Sequence, residues 1–201
     1  MSADKALMTA AITHVEFARS VDRDVLRQIC DLNLRGLQAI AALRDGLPTR
    51  PAAFAQFDDL SRNEDRWHRL SGAPFLLFEW RPLVDWRVHE PTDAWRESAQ
   101  WVDFARLATH VSAEICRNRR SAAVLLLGMP ADQCDAWSRF SLAEIDLRAQ
   151  RAAQQIDLRW FADPRFWQRR LHAVSASSDD ALWRNTLEGM QRLAALARPS
   201  G

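Results

Sequence analysis

Residues 125–144 read LLLGMPADQCDAWSRFSLAE: an apolar run stopped at Gly128, a proline at 130, and a Ser141-x-x-Glu144 pair beside hydrophobic residues. Each mark has a physical meaning. Glycine takes the left-handed conformation that closes a helix, and proline suits a first helical turn, where its missing N–H is not needed. Ser141 and Glu144 form a capping box, each side chain satisfying the other's free backbone donor, with Phe140 and Ile145 placed for a hydrophobic staple across it. The stretch therefore predicts a helix that ends, a short helix from Pro130 through Trp137, and the start of a third. That is the layout of a helix-turn-helix. Residues 46–64, GLPTRPAAFAQFDDLSRNE, carry the same marks in the same order.

Working outward, apolar residues recur at helical spacing from 22 to 44 as Leu26, Ile29, Cys30, Leu37, Ile40 and Ala41, and Gly46 with Pro48 ends the run. Asn33 falls in this stripe. It reads as an edge residue bonded locally or to water, the alternative being a device that sets the register of paired helices. Ser61 and Glu64 predict a capped helix over 62–71, and FLLFEW after Gly72 and Pro74 reads as a short buried strand or extended segment. Thr92 or Asp93 caps a second long helix, striped by Trp101, Phe104, Ala108, Val111 and Ile115. Asp163-Pro164 starts a short helix through Leu171. Ser178 caps a last one carrying Trp183, Leu187, Met190 and Ala194, and the tail RPSG frays.

The two halves agree at an offset near eighty. GLP at 46–48 matches GMP at 128–130, Leu60-Ser61 with Glu64 matches Phe140-Ser141 with Glu144, Trp80 matches Trp160, and Trp86 matches Trp167 with one slipped residue. Order is harder to obtain by accident than single matches, so the reading is a tandem duplication, with one repeat over 22–90 and a second, with its C-terminal helix, over 92–197. Such a chain is a mainly α pseudo-dimer with short extended segments, its halves burying each other's apolar faces.

Composition narrows the function. The 201 residues carry 27 basic and 26 acidic side chains, net +1, without the positive excess of a self-sufficient nucleic-acid binder. Only Lys5 among the basic residues is lysine, which reports a GC-rich coding sequence. Three cysteines at 30, 116 and 134 have no metal-ligand spacing and predict free, buried thiols in a reducing cytosol. Neither the N-terminus nor AAVLLLGMPA offers a signal or membrane-spanning segment, so a cytoplasmic protein is expected. The five histidines, at 14, 68, 89, 110 and 172, are scattered, with no HExxH and no nucleophile logic. No enzyme, cofactor or metal is expected.

The long helix followed by SAAVLLLGM, the short helix, FSLAEIDL and QQIDLRWF resembles FlhD, the helical subunit of the bacterial flagellar master transcription regulator, and DLNLRGL in the first half is similar to that family's early helix. The resemblance implies an all-helical fold that self-associates, joins a second subunit called FlhC, and acts on transcription of motility genes. In that family the partner supplies the zinc site and much of the DNA contact, which fits a near-neutral chain. Here, however, DLNL and LLLGM lie in different halves, which the duplication explains.

Candidate contacts follow. Glu144 and Asp146 in the first turns of the third helix would repel a duplex, so base readout by that element is not expected. Arg117, Arg119 and Arg120, with Arg139, Arg148 and Arg151, are the candidate phosphate contacts, although a helix dipole or the neighbouring carboxylates can also account for them. Nine tryptophans and no tyrosine point mainly to the core. Trp86 and Trp167, with Arg169 and Arg170, are the candidate partner-docking face. The alternative function is a helical adaptor or chaperone-like module that never meets nucleic acid.

Overall fold

The computed structural model describes residues 22–42, 63–80, 94–160 and 163–196. Among them are α1 (Arg23–Ala42), α2 (Glu64–Ser71), β1 (Phe78–Trp80), a 3₁₀ turn (Ala94–Glu97) and α3 (Ala99–Asn118). After these come α4 (Arg120–Leu127), α5 (Ala131–Arg139), α6 (Leu142–Ala149), a second 3₁₀ turn (Ala152–Gln154), β2 (Ile156–Leu158), α7 (Pro164–Ser175) and α8 (Asp179–Leu196). The described residues are mainly helical and form one two-stranded sheet. None of these helices is long and apolar enough to cross a membrane. The Gly46–Pro48 stop, Leu60, Ser61, Trp86, Thr92, Asp93 and the tail RPSG lie outside the described residues.

The caps explain most of the boundaries. Gly128 ends α4 at φ 59° and ψ 32°, the left-handed region. A Cβ there would also stand 2.3 Å from Arg159 Nη1, so glycine is required twice over. Both halves of the Ser141–Glu144 capping box form, and Asp163 and Ser178 accept from Arg165 and Ala181 backbone N–H groups at 3.1 and 3.3 Å. Two caps differ from expectation. Helix α2 is capped by Asn63, which accepts from the Arg66 N–H at 3.1 Å, and α3 starts at Ser98, with the 3₁₀ turn before it. Strand β2, within QQIDLRWF, is also new.

Helices α1 and α3 pack antiparallel: Asp22 at the start of one reaches Arg119 at the end of the other, and Ala42 lines a groove with Gln100 and Asp103. Gly36 makes the close approach. A Cβ on it would lie 2.3 Å from Phe78 and 2.7 Å from Phe104, whose rings fill that notch at a 4.6 Å centroid separation. Trp101 adds to the knot and donates to the Ala153 carbonyl at 2.9 Å.

The two parts of the chain share a sequence of elements. A twenty-residue helix, an eight-residue helix and a three-residue strand occur as α1, α2 and β1, and again as α3, α6 and β2. Their starts are 76 residues apart for the long helices (99 against 23), and 78 apart for the short helices (142 against 64) and the strands (156 against 78). Helix α2 packs on α1 and α6 packs on α3. The strands pair antiparallel with Glu79 opposite Asp157. At the 78-residue offset of the short helices and strands, Asn63 stands level with Ser141 and Trp80 with Leu158. Trp160 lies beyond its strand with φ 53°.

Asn33 has neither expected role. It is fully buried, and its amide donates to the Ser71, Ala73 and Phe75 carbonyls while its oxygen accepts from the Leu77 N–H at 2.7 Å. One side chain thus satisfies the turn that leads into β1. Asn33→Ala is expected to cost about 2–3 kcal/mol in chemical denaturation, because it orphans a buried donor together with the acceptors. Unchanged stability would remove Asn33 from this role.

The last helix turns a polar edge inward. Its buried face carries Asn185, Thr186 and Gly189 beside Leu193 and the expected Leu187, leaving Trp183 41 % exposed. The reason is Arg170, fully buried, whose Nη1 donates to Asn185 Oδ1 and Thr186 Oγ1 at 3.2 and 3.3 Å.

Candidate interaction surface

The surface around α4, α5 and α6 is built by the punctuation in residues 119–142. Arg119 breaks the backbone between α3 and α4 at φ −142°, its N–H returning to the Ile115 carbonyl at 2.8 Å. Gly128 and Met129 turn the chain into α5, and Phe140 with Ser141 turns it into α6. The Arg117 guanidinium donates to the Phe140 carbonyl at 2.7 Å, fastening the α5–α6 corner to α3.

The arginines on this surface are mostly engaged. Arg120 forms a two-point pair with Asp135, its Nη2 at 2.6 Å from Oδ2, and Arg119 lies 3.5 Å from Asp22. The Arg120 guanidinium holds the Asp135 carboxyl below the usual carboxylate range. The Arg148 guanidinium sits 4.0 Å from the Phe140 ring centroid, while Arg139 and Arg151 are exposed. Exposed ion pairs are weak and screened by salt, so a phosphate could displace these carboxylates, at the cost of leaving Asp135 and Asp22 nearby.

The outer face of α6 is chemically different. Leu142 is 71 % exposed and Leu147 51 %, with Glu144 and Asp146 between them. Asp146 lies 3.5 Å from His110 of α3. Only Ile145 and Ala149 of this helix are buried. Two leucines in a carboxylate frame suit contact with another protein better than a DNA groove. Leu147 falls off the 145/149 stripe and was legible in the sequence; Leu142, three residues before Ile145, lies on that stripe, so its exposure was not.

Two docking residues are placed elsewhere. Trp167 is 2 % exposed and donates through Nε1 to the Arg159 carbonyl at 2.8 Å, a core position. Arg170 is fully buried and grips the Leu70 carbonyl through Nε and Nη2 at 3.0 and 2.7 Å. Neither can present a docking face. The amphipathic α7 turns these two inward and leaves Arg169 outside, where it pairs with Glu188 at 2.6 and 2.7 Å. Trp86 lies outside the described residues.

No family model, curated protein or solved structure matches the chain. No cluster of His, Cys, Asp or Glu able to hold a metal ion occurs among the described residues. A groove of about 420 Å³ lies between α1 and α3, floored by Phe104 and flanked by Arg35 and Asp103.

The capping box gives the surface an acid limit. Hydrogen bonds from the Ser141 backbone and hydroxyl hold Glu144 below its ordinary 4.5. A depressed carboxyl contributes its full stabilisation above the unfolded-state value and loses it as pH falls through the lower folded-state value. Titration below about 4.5 is therefore expected to fray the first turn of α6, seen as a loss of amide protection at Glu144 relative to its intrinsic exchange rate at the same pH. Glu144→Gln should keep the box and remove this pH dependence; if wild type and variant exchange alike at low pH, the box is not the cause.

Proposed function

We propose that the chain is a tandem FlhD-like transcription regulator that acts by assembling with a partner subunit at promoters of motility genes. What carries the reading is the repeated order of long helix, short helix and strand at matched spacing. The long helices run antiparallel and the strands pair about their midpoints, the arrangement of an isologous contact within one polypeptide. Two repeats covering each other's apolar faces leave outer surfaces for recruitment. The exposed Leu142 and Leu147 on α6 replace Trp167 and Arg170 as the anchor of the docking face.

A second reading is favoured by the charge pairing of Arg119, Arg120 and Arg169: an adaptor that binds protein but not DNA. Copurification from the native host followed by titration of promoter DNA separates the two. The regulatory reading expects the complex to bind DNA with a steep loss on added salt, and Arg119→Glu with Arg120→Glu to lower the slope of log K against log salt by about 2. Salt-insensitive or absent binding by the complex favours the adaptor. Leu142→Glu with Leu147→Glu is expected to abolish copurification while leaving the melting temperature within about 2 °C, since exposed substitutions seldom change stability. Retained copurification would return the docking face to another surface.

A further inference from the structure

The geometry points to a binding site for a free α-amino acid with a large apolar side chain, in the groove between α1 and α3. The groove has a volume of about 420 Å³, within the range of small-molecule sites. Its cause is a mismatch of side-chain size. Ala39 and Ala42 of α1 are too short to fill the space above Phe104 of α3, whose ring is drawn against Gly36. The inference is independent of any DNA or partner contact.

The two walls carry opposite charge. Arg35 and Gln38 stand one turn apart on α1, Gln100 and Asp103 one turn apart on α3, and Leu107 follows Asp103 by a further turn. All five are exposed. Among the described residues Arg35 and Asp103 form no ion pair, with each other or with a third residue. A cation and an anion therefore stand open on opposite sides of one hollow.

This combination selects the ligand. A phosphate or a nucleic-acid strand gains from Arg35 and is repelled by Asp103, and a polyamine meets the reverse. An uncharged apolar molecule covers two charged groups and two amides without bonding them, which costs more than its buried area returns. A zwitterion engages both walls. Its carboxylate accepts from the Arg35 fork and its ammonium donates to Asp103, while the Gln38 and Gln100 amides can donate or accept at either end. The apolar side chain then lies on Phe104 and Leu107. Because the rim is open to water, both charged contacts are screened, and a dissociation constant on the order of 1 mM is expected.

The test is a titration of the full-length ¹⁵N-labelled chain with L-phenylalanine, followed by the backbone amide shifts of Ala39, Asp103 and Leu107. Two analogues each delete one charge: 3-phenylpropionate lacks the ammonium and 2-phenylethylamine the carboxylate. Saturable shifts are expected with phenylalanine, and each analogue should bind roughly tenfold more weakly, the loss of one charge-assisted hydrogen bond. Asp103→Asn should remove the preference for phenylalanine over phenylpropionate, and Arg35→Gln the preference over phenylethylamine. Both positions are exposed, so the variants should keep the wild-type spectrum elsewhere. Three results would each overturn the proposal: no saturable shift with phenylalanine at about 10 mM, ten times the expected constant; equal binding of the three compounds to wild type; or preferences unchanged in both variants. The wild-type series does not depend on either variant folding.

Discussion

Arg159→Met is expected to lower stability by about 4–5 kcal/mol, read as a fall in the urea midpoint followed by tryptophan fluorescence. Arg159 is 1 % exposed. Its guanidinium donates to three backbone carbonyls, Leu76 at 2.9 Å, Phe78 at 2.7 Å and Leu127 at 2.5 Å, so it joins the turn before β1, the strand itself and the end of α4. Methionine fills much of the volume and leaves all three acceptors dry. An unpaired buried polar group costs about 1–3 kcal/mol, and relief from burying a charge offsets only part of that sum. Burial already pushes Arg159 down to about 10, with Glu79 opposing, so it remains charged at neutral pH. Arg159→Lys should not rescue, because a single ammonium cannot span three carbonyls. A methionine variant within about 1 kcal/mol of wild type, the median effect of point substitutions, would show that the carbonyls find other donors.

Trp167→Ala should cost about 3–5 kcal/mol, the range for truncating a buried aromatic residue. The indole packs edge-on against Phe166 at 5.6 Å and bonds the Arg159 carbonyl, so it supports the residue that carries the first prediction. The two losses are therefore expected to be non-additive in a double-mutant cycle. Trp167→Phe keeps most of the bulk, drops the N–H and should cost about 1–2 kcal/mol. A Trp167→Ala chain of normal stability that had lost its partner would instead restore this tryptophan to a docking face.

Most local marks in the sequence were reliable, the caps of α2 and α3 excepted. Gly128, the Ser141–Glu144 box, Asp163-Pro164 and Ser178 act on backbone groups within a few residues, so neighbouring letters suffice to read them. The stripe of α3 was equally legible, with Trp101, Phe104, Ala108 and Ile115 all buried. Marks depending on distant partners were not. Asn33 and Arg170 look like ordinary polar residues until a turn 38 or 100 residues away supplies a carbonyl. The inward polar edge of α8 exists because Arg170 needs acceptors there. Of the candidate surface, exposure could be read for Arg139 and Arg151, and the stripe of Phe166, Trp167, Leu171 and Val174 passes through Arg170 and not Arg169; what the letters did not show is the carbonyl that lets a guanidinium sit there.

The sequence by itself determined where most helices begin and end, because capping and periodicity are short-range. The sequence also suggested a repeated order of marks at an offset near eighty, while the short helices and strands recur at 78. Tertiary structure decided the rest. Two three-residue strands are too short to pair alone, and they pair here because Asn33 and Arg159 satisfy the backbone around them. Which arginine is core and which is surface follows from the same cause: a buried guanidinium is tolerated only where folding has gathered enough carbonyl oxygens to replace water.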